Sequence, residues 1–499
     1  MRNRVQLITY ADRLGGTLAG TGAVIREHLA GAVGGVHLLP FFTPYDGADA
    51  GFDPQDHTAV DPRLGSWDDV RTLAQDLDVV VDVIVNHVSS DSAAFLDFRE
   101  RGAASPSASM FLTFGSVFPE GATEADLTAV YRPRPGLPFT PVTVAGEKRL
   151  LWTTFTPQQI DIDVRSEPGA AYLGSILRTL ADAGVSMVRL DAVGYAIKTP
   201  GTSSFMTPET FDFIEAFTAQ TRGLGMDVLV EVHSHYESQV QIGALVDRVY
   251  DFALPPLVLH SLYSGDAAAL RHWLDVRPRN CVTVLDTHDG IGVIDVGPDA
   301  ITGRPGLLTP AQVDALVEGI HAATGGASRQ ATGAAASNLD LYQVNSTFYD
   351  ALGRDDARYL AARAIQLFAP GIPQVYYVGA LAGENDMDLL ARTAVGRDIN
   401  RHVYGPGEVA HEVQRPVVRA QLALMRLRNE HPAFDGDFTL EPATDGATDD
   451  LLTMTWRAGA DHALLAVGVA DASASLEWTT ATGTARVDDL LDAEGLDRR

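Results

Sequence analysis

Ser186-Met187-Val188-Arg189-Leu190-Asp191-Ala192-Val193 is an apolar run in which alternate positions carry a cation and a carboxylate. Residues two apart in an extended strand face the same side, so Arg189 and Asp191 share a face. Similar runs recur at Val5–Tyr10, Val36–Pro40, Val79–His87, Asp227–His233, Arg248–Leu254, Cys281–Asp289 and Gln374–Val378. Helical patterns separate them. Strands alternating with helices imply a parallel sheet covered on both faces. Eight such runs predict an α/β protein built on a (β/α)₈ barrel. An open doubly wound sheet is the alternative, but no glycine-rich dinucleotide fingerprint opens a helix.

The runs are unevenly spaced. The stretch Ser89 to Asp163 is rich in Pro, Gly and aromatics and includes Tyr131-Arg132-Pro133-Arg134-Pro135-Gly136. It reads as an inserted subdomain. A second insertion follows the seventh run, from Ile291 to Leu352, and its small-residue part, Thr332 to Ser337, predicts a loop. Insertions after barrel strands lie at the C-terminal face, where active sites form. Beyond Phe434 the pattern alternates, as in Leu451-Leu452-Thr453-Met454-Thr455-Trp456, which predicts a small antiparallel β domain. The expected boundaries are 1–85, 166–290 and 354–434 for the barrel, 86–165 and 291–353 for the insertions, and 435–499 for the C-terminal domain.

The chain has 499 residues, with 37 Lys+Arg against 65 Asp+Glu and a formal net charge of −28. Such a field repels nucleic acid and anionic membranes, so neither is expected as a partner. The hydrophobic fraction of 46% makes disorder a poor reading, except at the extreme C-terminus. The single cysteine, Cys281, excludes an internal disulfide and reads as a small buried strand residue. A strand begins almost at once at Val5, without an apolar segment of signal-peptide shape. No run reaches the roughly 20 apolar residues of a membrane span. The expectation is a soluble, cytoplasmic protein.

Several apolar runs end in polar residues: Asn86-His87 the third, Asp191 the fourth, Glu231-Val232-His233 the fifth and Thr287-His288-Asp289 the seventh. Carboxylates at the C-terminal ends of three strands would converge on one pocket. Two carboxylates suffice to cleave a glycosidic bond. In the retaining route they lie ~5–5.5 Å apart, one as nucleophile and one as general acid/base. A nucleophile must be ionised, and Arg189 beside Asp191 predicts a depressed pKa there. Glu231 lies between Val230 and Val232, which suits partial desolvation. Asp289 could hold sugar hydroxyls. Spacing alone does not assign the three roles.

The segments Asp82–His87, Val188–Val193, Glu231–His233 and Thr287–Asp289 resemble, in order and spacing, the four signature regions of the alpha-amylase family. Within it, Asp46–Asp53, Tyr131–Phe139, Phe155–Asp161 and Ala336–Asn345 are similar to the sucrose phosphorylases, especially the bifidobacterial type. The resemblance weakens after Glu441. It implies conversion of sucrose and inorganic phosphate to glucose 1-phosphate and fructose, with retention and no cofactor, and it leaves a homodimer open.

The resemblance also implies roles. Asp191 falls on the nucleophile, Glu231 on the acid/base and Asp289 on the transition-state stabiliser. Asp49, His87, Arg189, His288 and Arg397 fall at the glucosyl ring, Phe52 and Tyr195 resemble apolar platform positions, and Leu190 and Phe155 join the expected substrate-binding residues. Arg134, His233, Asp340, Leu341, Tyr342 and Gln343 fall on the acceptor side. Arg134 matters because phosphate brings negative charge to a pocket already holding three carboxylates. The loop Thr332–Tyr342 is expected to present Asp340 to fructose and withdraw it from phosphate. His235 stands where the family pattern has Tyr. Asn86 helps bind calcium in many amylases; sucrose phosphorylases dispense with the ion, so no metal is expected. The rival readings are a phosphorylase of sucrose 6-phosphate or a glucosylglycerol-type compound, a hydrolase or transglucosidase, and a non-catalytic barrel. Intact Asp191, Glu231 and Asp289 speak against the last.

Overall fold

A computed structural model describes residues 1–133, 136–299, 303–334, 343–443 and 449–498. Each of the eight apolar runs overlaps a barrel strand. These are β1 (Gln6–Thr9), β2 (Gly35–Leu38), β3 (Asp78–Ile84), β4 (Met187–Asp191), β5 (Asp227–Val230), β6 (Arg248–Asp251), β7 (Cys281–Thr283) and β8 (Ile372–Tyr376). They pair in parallel, each with its sequence neighbours, and β8 pairs with β1 to close the barrel.

Period-2 alternation explains why runs apolar on both faces form this sheet. Val79, Val81, Val188, Leu190, Val228 and Val230 pack outward into the main core. Val80, Met187, Leu229, Tyr250, Val282 and Ile372 form a separate cluster filling the barrel. Asp82, Arg189 and Asp191 share the inward parity of Val80 and Met187, and Arg189 is in register with Asp82. The interior therefore turns from apolar to polar towards the C-terminal ends. Burying polar groups there requires partners. Arg189 Nη1 donates to Asp82 Oδ1 at 2.5 Å, His37 Nε2 lies 3.2 Å from Asp82 Oδ2, and Tyr250 Oη donates to Gln374 Oε1 at 2.7 Å.

Between β3 and β4, the hairpin of Phe139–Val144 with Glu147–Trp152 packs on its own small core of Leu112, Val117, Phe118, Val130 and Trp152. His87–Ser89 pairs antiparallel with Gln159–Asp161 and ties the ends of this excursion together. After β7, Ile291–Gly292 pairs with Gln343–Val344 and brackets helices Pro310–Ala323 and Ala327–Ala334. The small-residue stretch expected to be a loop from Thr332 is thus helical as far as Ala334, because alanine favours helix whenever no turn is imposed.

The C-terminal alternation forms a five-stranded antiparallel sheet, β9 (Asp437–Leu440), β10 (Leu451–Ala458), β11 (Asp461–Gly468), β12 (Ser473–Thr480) and β13 (Gly483–Val487). Trp456 on β10 donates its indole N–H to Phe368 O at 2.8 Å, fastening this sheet to the barrel layer. Near the C-terminus the short helix Ala493–Leu496 buries Leu496.

Candidate active site

The inward positions at the C-terminal ends of β4 and β5 carry Asp191 and, one residue beyond β5, Glu231. Asp289 follows β7. One guanidinium organises the first two: Arg189 Nη1 lies 3.0 Å from Asp191 Oδ1, and Nη2 lies 3.9 Å from Glu231 Oε1. Asp289 has its own cation, with Arg397 Nη1 at 2.8 Å from Oδ1. The same Arg397 atom lies 3.5 Å from Asp49 Oδ1. Asp49 and Ala50 hold left-handed φ values of 52° and 55°, a backbone state unusual for non-glycine residues that turns the Asp49 carboxylate towards Arg397.

Two histidines close the far side. His87 donates from Nε2 to Phe52 O at 2.9 Å, since a carbonyl only accepts; Asn86 Nδ2 lies 3.4 Å from its Nδ1. His288 stacks on the Phe52 ring, with centroids 5.1 Å apart and planes within 9°. Burial lowers the pKa of both, that of His288 to about 3, so both are neutral at ordinary pH and suited to both donating and accepting. Phe155 meets His87 and Tyr195 edge-on at 5.4 and 5.2 Å.

On the opposite wall, His233 Nδ1 lies 3.0 Å from Asp295 Oδ2 and Nε2 lies 3.7 Å from Glu231 Oε1. Gln343 Nε2 is 3.5 Å from His233 Nε2, while Gln343 Oε1 accepts from Gly290 N at 3.3 Å. His233, Gln343 and the groups described above line one cleft that opens to solvent. Pro133, Gln159 and Ala192 complete its lining.

The electrostatics depart from expectation at one point. Arg189 does pull the Asp191 pKa down, but burial pushes it up more strongly, and Glu231, Asp82 and Asp289 add to the rise. The net direction is upward. Asp289 goes the other way: burial would raise it, but Arg397, His288, His233 and Arg401 hold it well below the usual carboxylate range. For His233, burial opposes the charge, and Asp295 and Glu231 outweigh it and raise its pKa.

The cleft thus unites Asp49, Phe52, His87, Phe155, Arg189, Asp191, Tyr195, Glu231, His233, His288, Asp289, Gln343 and Arg397. Leu190 is not among them. On β4 it has the opposite parity to Arg189, and its side chain is buried in the outer core. Arg134, Asp340, Leu341 and Tyr342 lie outside the described residues, as does most of the loop expected to exchange fructose for phosphate. His235 caps helix Tyr236–Gly243 and its Nε2 bonds Pro305 O at 3.0 Å, away from the cleft lining.

Behind the platform, the Lys198 ammonium donates to Asn86 Oδ1 at 2.8 Å and to Tyr195 O, and pairs with Asp161 Oδ2 at 2.7 Å. Asn86 thus faces a cation supplied by the chain itself, and a metal ion there would displace a buried lysine. Among the described residues, Glu231, His233 and Asp289 alone form a His/carboxylate group tight enough for an ion, and these are the cleft's own acids. Asp295 and Lys198 escape a reading of the sequence: neither sits at the end of a periodic run.

Residues 30–243 match the model of the alpha-amylase catalytic domain. A sucrose phosphorylase of Agrobacterium vitis is 58% identical over 97% of this chain and 98% of its own length. One of Bifidobacterium adolescentis is 55% identical over 98% of this chain and 99% of its own. Among solved structures, sucrose 6F-phosphate phosphorylase from Thermoanaerobacter thermosaccharolyticum superposes with a TM-score of 0.88 at 37% identity, over 98% of each chain.

Proposed function

The chain belongs to the alpha-amylase family, in its sucrose phosphorylase branch, and from that premise we infer that it is a hexosyltransferase that moves glucose from sucrose to inorganic phosphate. The observation that carries this is the convergence of Asp191, Glu231 and Asp289 in one cleft of a chain 58% identical to a sucrose phosphorylase along its length.

The mechanism assigns each side chain a role. An Asp191 oxygen attacks the anomeric carbon of the glucosyl unit as the bond to fructose breaks, and the Glu231 proton passes to the departing fructosyl oxygen. In the second half, a phosphate oxygen attacks the same carbon, the bond to Asp191 breaks, and Glu231 takes up the proton of the entering phosphate. Two inversions give α-D-glucose 1-phosphate. Arg189 supports the first step by bonding Asp191 and so stabilising its ionised form, while Asp289, kept anionic by Arg397, faces the positive charge that grows on the ring. Asp49 and Arg397 clamp ring hydroxyls. Phe52, Phe155 and Tyr195 supply apolar surface for the ring face. Arg134, Asp340, Leu341, Tyr342 and Gln343, with His233, make up the acceptor side in this reading, and its remaining parts, a cytoplasmic homodimer without cofactor or metal, rest on the family resemblance alone.

Competition between donors tests the assignment. The kcat/KM for sucrose should exceed that for sucrose 6F-phosphate and for glucosylglycerol. A higher value for either alternative would move the chain to another phosphorylase specificity.

A further inference from the structure

Asp295 is fully buried and has no place in the scheme above, yet it contacts the cleft through His233. Its Oδ1 accepts from Ser234 N at 3.2 Å and from Gln239 Nε2 at 3.3 Å, and its Oδ2 faces His233 Nδ1 at 3.0 Å. The Phe252 ring stacks on the imidazole at 3.9 Å, with planes within 16°. The ring is therefore fixed in plane by Phe252 and in rotation by Asp295, which leaves Nε2 directed at Glu231 Oε1, 3.7 Å away.

This matters at one moment of the cycle. Once fructose has left with its proton, Glu231 is a carboxylate. Asp289 is anionic too, and Asp191 is esterified. Phosphate must enter beside Glu231, and the repulsion of like charges is strong in a partly desolvated cleft. Arg397 pairs with Asp289, and Arg189, whose Nη2 lies 3.9 Å from Glu231 Oε1, shares its charge with Asp82. We propose that Asp295 is a positioning residue for phosphorolysis: by binding Nδ1–H it keeps His233 as an imidazolium whose Nε2–H counters the Glu231 carboxylate when phosphate enters. Among the described residues, the charged groups acting on His233 are Asp295, Glu231 and Asp289, all acidic, and they act in the same direction. Fructose is neutral, so sucrose cleavage depends on this charge much less.

The inference rests on the phosphorylase reading, and the two fail separately. In double-displacement kinetics, kcat/KM for sucrose reports glucosylation and kcat/KM for phosphate reports deglucosylation. Asp295→Asn keeps the shape and removes the charge. It should lower kcat/KM for phosphate roughly 10- to 100-fold, by analogy with carboxylates that orient metal-bound imidazoles. The value for sucrose should fall by a much smaller factor. The alkaline limb of kcat/KM for phosphate should move to lower pH in the variant, and the wild-type to variant ratio cancels the ionisation of phosphate itself. Asp295→Glu should restore part of the phosphate term. In a His233→Gln background, Asp295→Asn should add little to the phosphate defect, a comparison that stays meaningful if stability falls. Equal losses for sucrose and phosphate, an unmoved alkaline limb, or full additivity with His233→Gln would each overturn the proposal. A wild-type enzyme that makes no glucose 1-phosphate would instead overturn the functional reading.

Discussion

Lys198→Met removes an ammonium and little else, since the two side chains are close in length. The Lys198 side chain is 1% exposed and that of Asp161 0%. The variant leaves the Asp161 carboxylate with the N–H and hydroxyl of Thr154, at 3.0 and 2.5 Å, but with no counter-charge of its own. Breaking a buried ion pair by deleting one partner costs about 3–5 kcal/mol, because the remaining charge stays desolvated. Set against a total stability of roughly 5–15 kcal/mol, that is a large fraction. Urea unfolding followed by tryptophan fluorescence measures it, and Trp152 lies 5.7 Å from the ammonium. The midpoint should fall with little change in slope. Adding Asp161→Asn should recover at least about half of the loss, since neither charge is then stranded. Because Lys198 also holds Asn86 and Tyr195 O, KM for sucrose should rise in the single variant while calcium gives no rescue. A loss below about 1 kcal/mol, or a double variant no better than the single, would refute the reasoning.

Asp191→Asn should abolish turnover of sucrose, measured as fructose release; substantial residual activity would reassign the nucleophile. His402 lies 2.6 Å from Asp386 and 2.8 Å from Glu408, and although burial opposes its charge these bonds raise its pKa. Its stabilising contribution is therefore complete below the unfolded value of about 6.5 and is lost as pH climbs through the raised folded value. The melting-temperature gap between wild type and His402→Gln should shrink over that rise, and a constant gap would contradict it. The Cys281 thiol is buried and pushed up to about 11 by desolvation, so a disulfide reagent at pH 8 should label the unfolded protein and leave the folded one untouched.

The barrel was legible because strands buried on both faces are apolar whichever residue comes next, and β3, β4 and β5 announce themselves that way. The acids were legible because Asp191 and Glu231 interrupt such runs at their ends. Leu190 shows the limit of carrying a motif over whole: its parity alone turns it away from Arg189 and into the outer core. The sign of the Asp191 shift was not legible either. It depends on burial and on three carboxylates brought in from other strands, and the neighbouring Arg189 is the one contributor visible locally. Asp295 and Lys198 were hidden for a similar reason: their partners His233 and Asp161 are remote in sequence, and only the closed barrel and the pairing of His87–Ser89 with Gln159–Asp161 bring them together.

Transfer of the glucosyl group from Asp191 to phosphate is the step on which the proposed function turns. The direct test is to supply sucrose at fixed concentration while raising phosphate, and to measure glucose and glucose 1-phosphate together with fructose. Fructose release should be matched by α-D-glucose 1-phosphate as phosphate rises, with free glucose falling away. Free glucose equal to fructose at every phosphate concentration, with no glucose 1-phosphate, would contradict it.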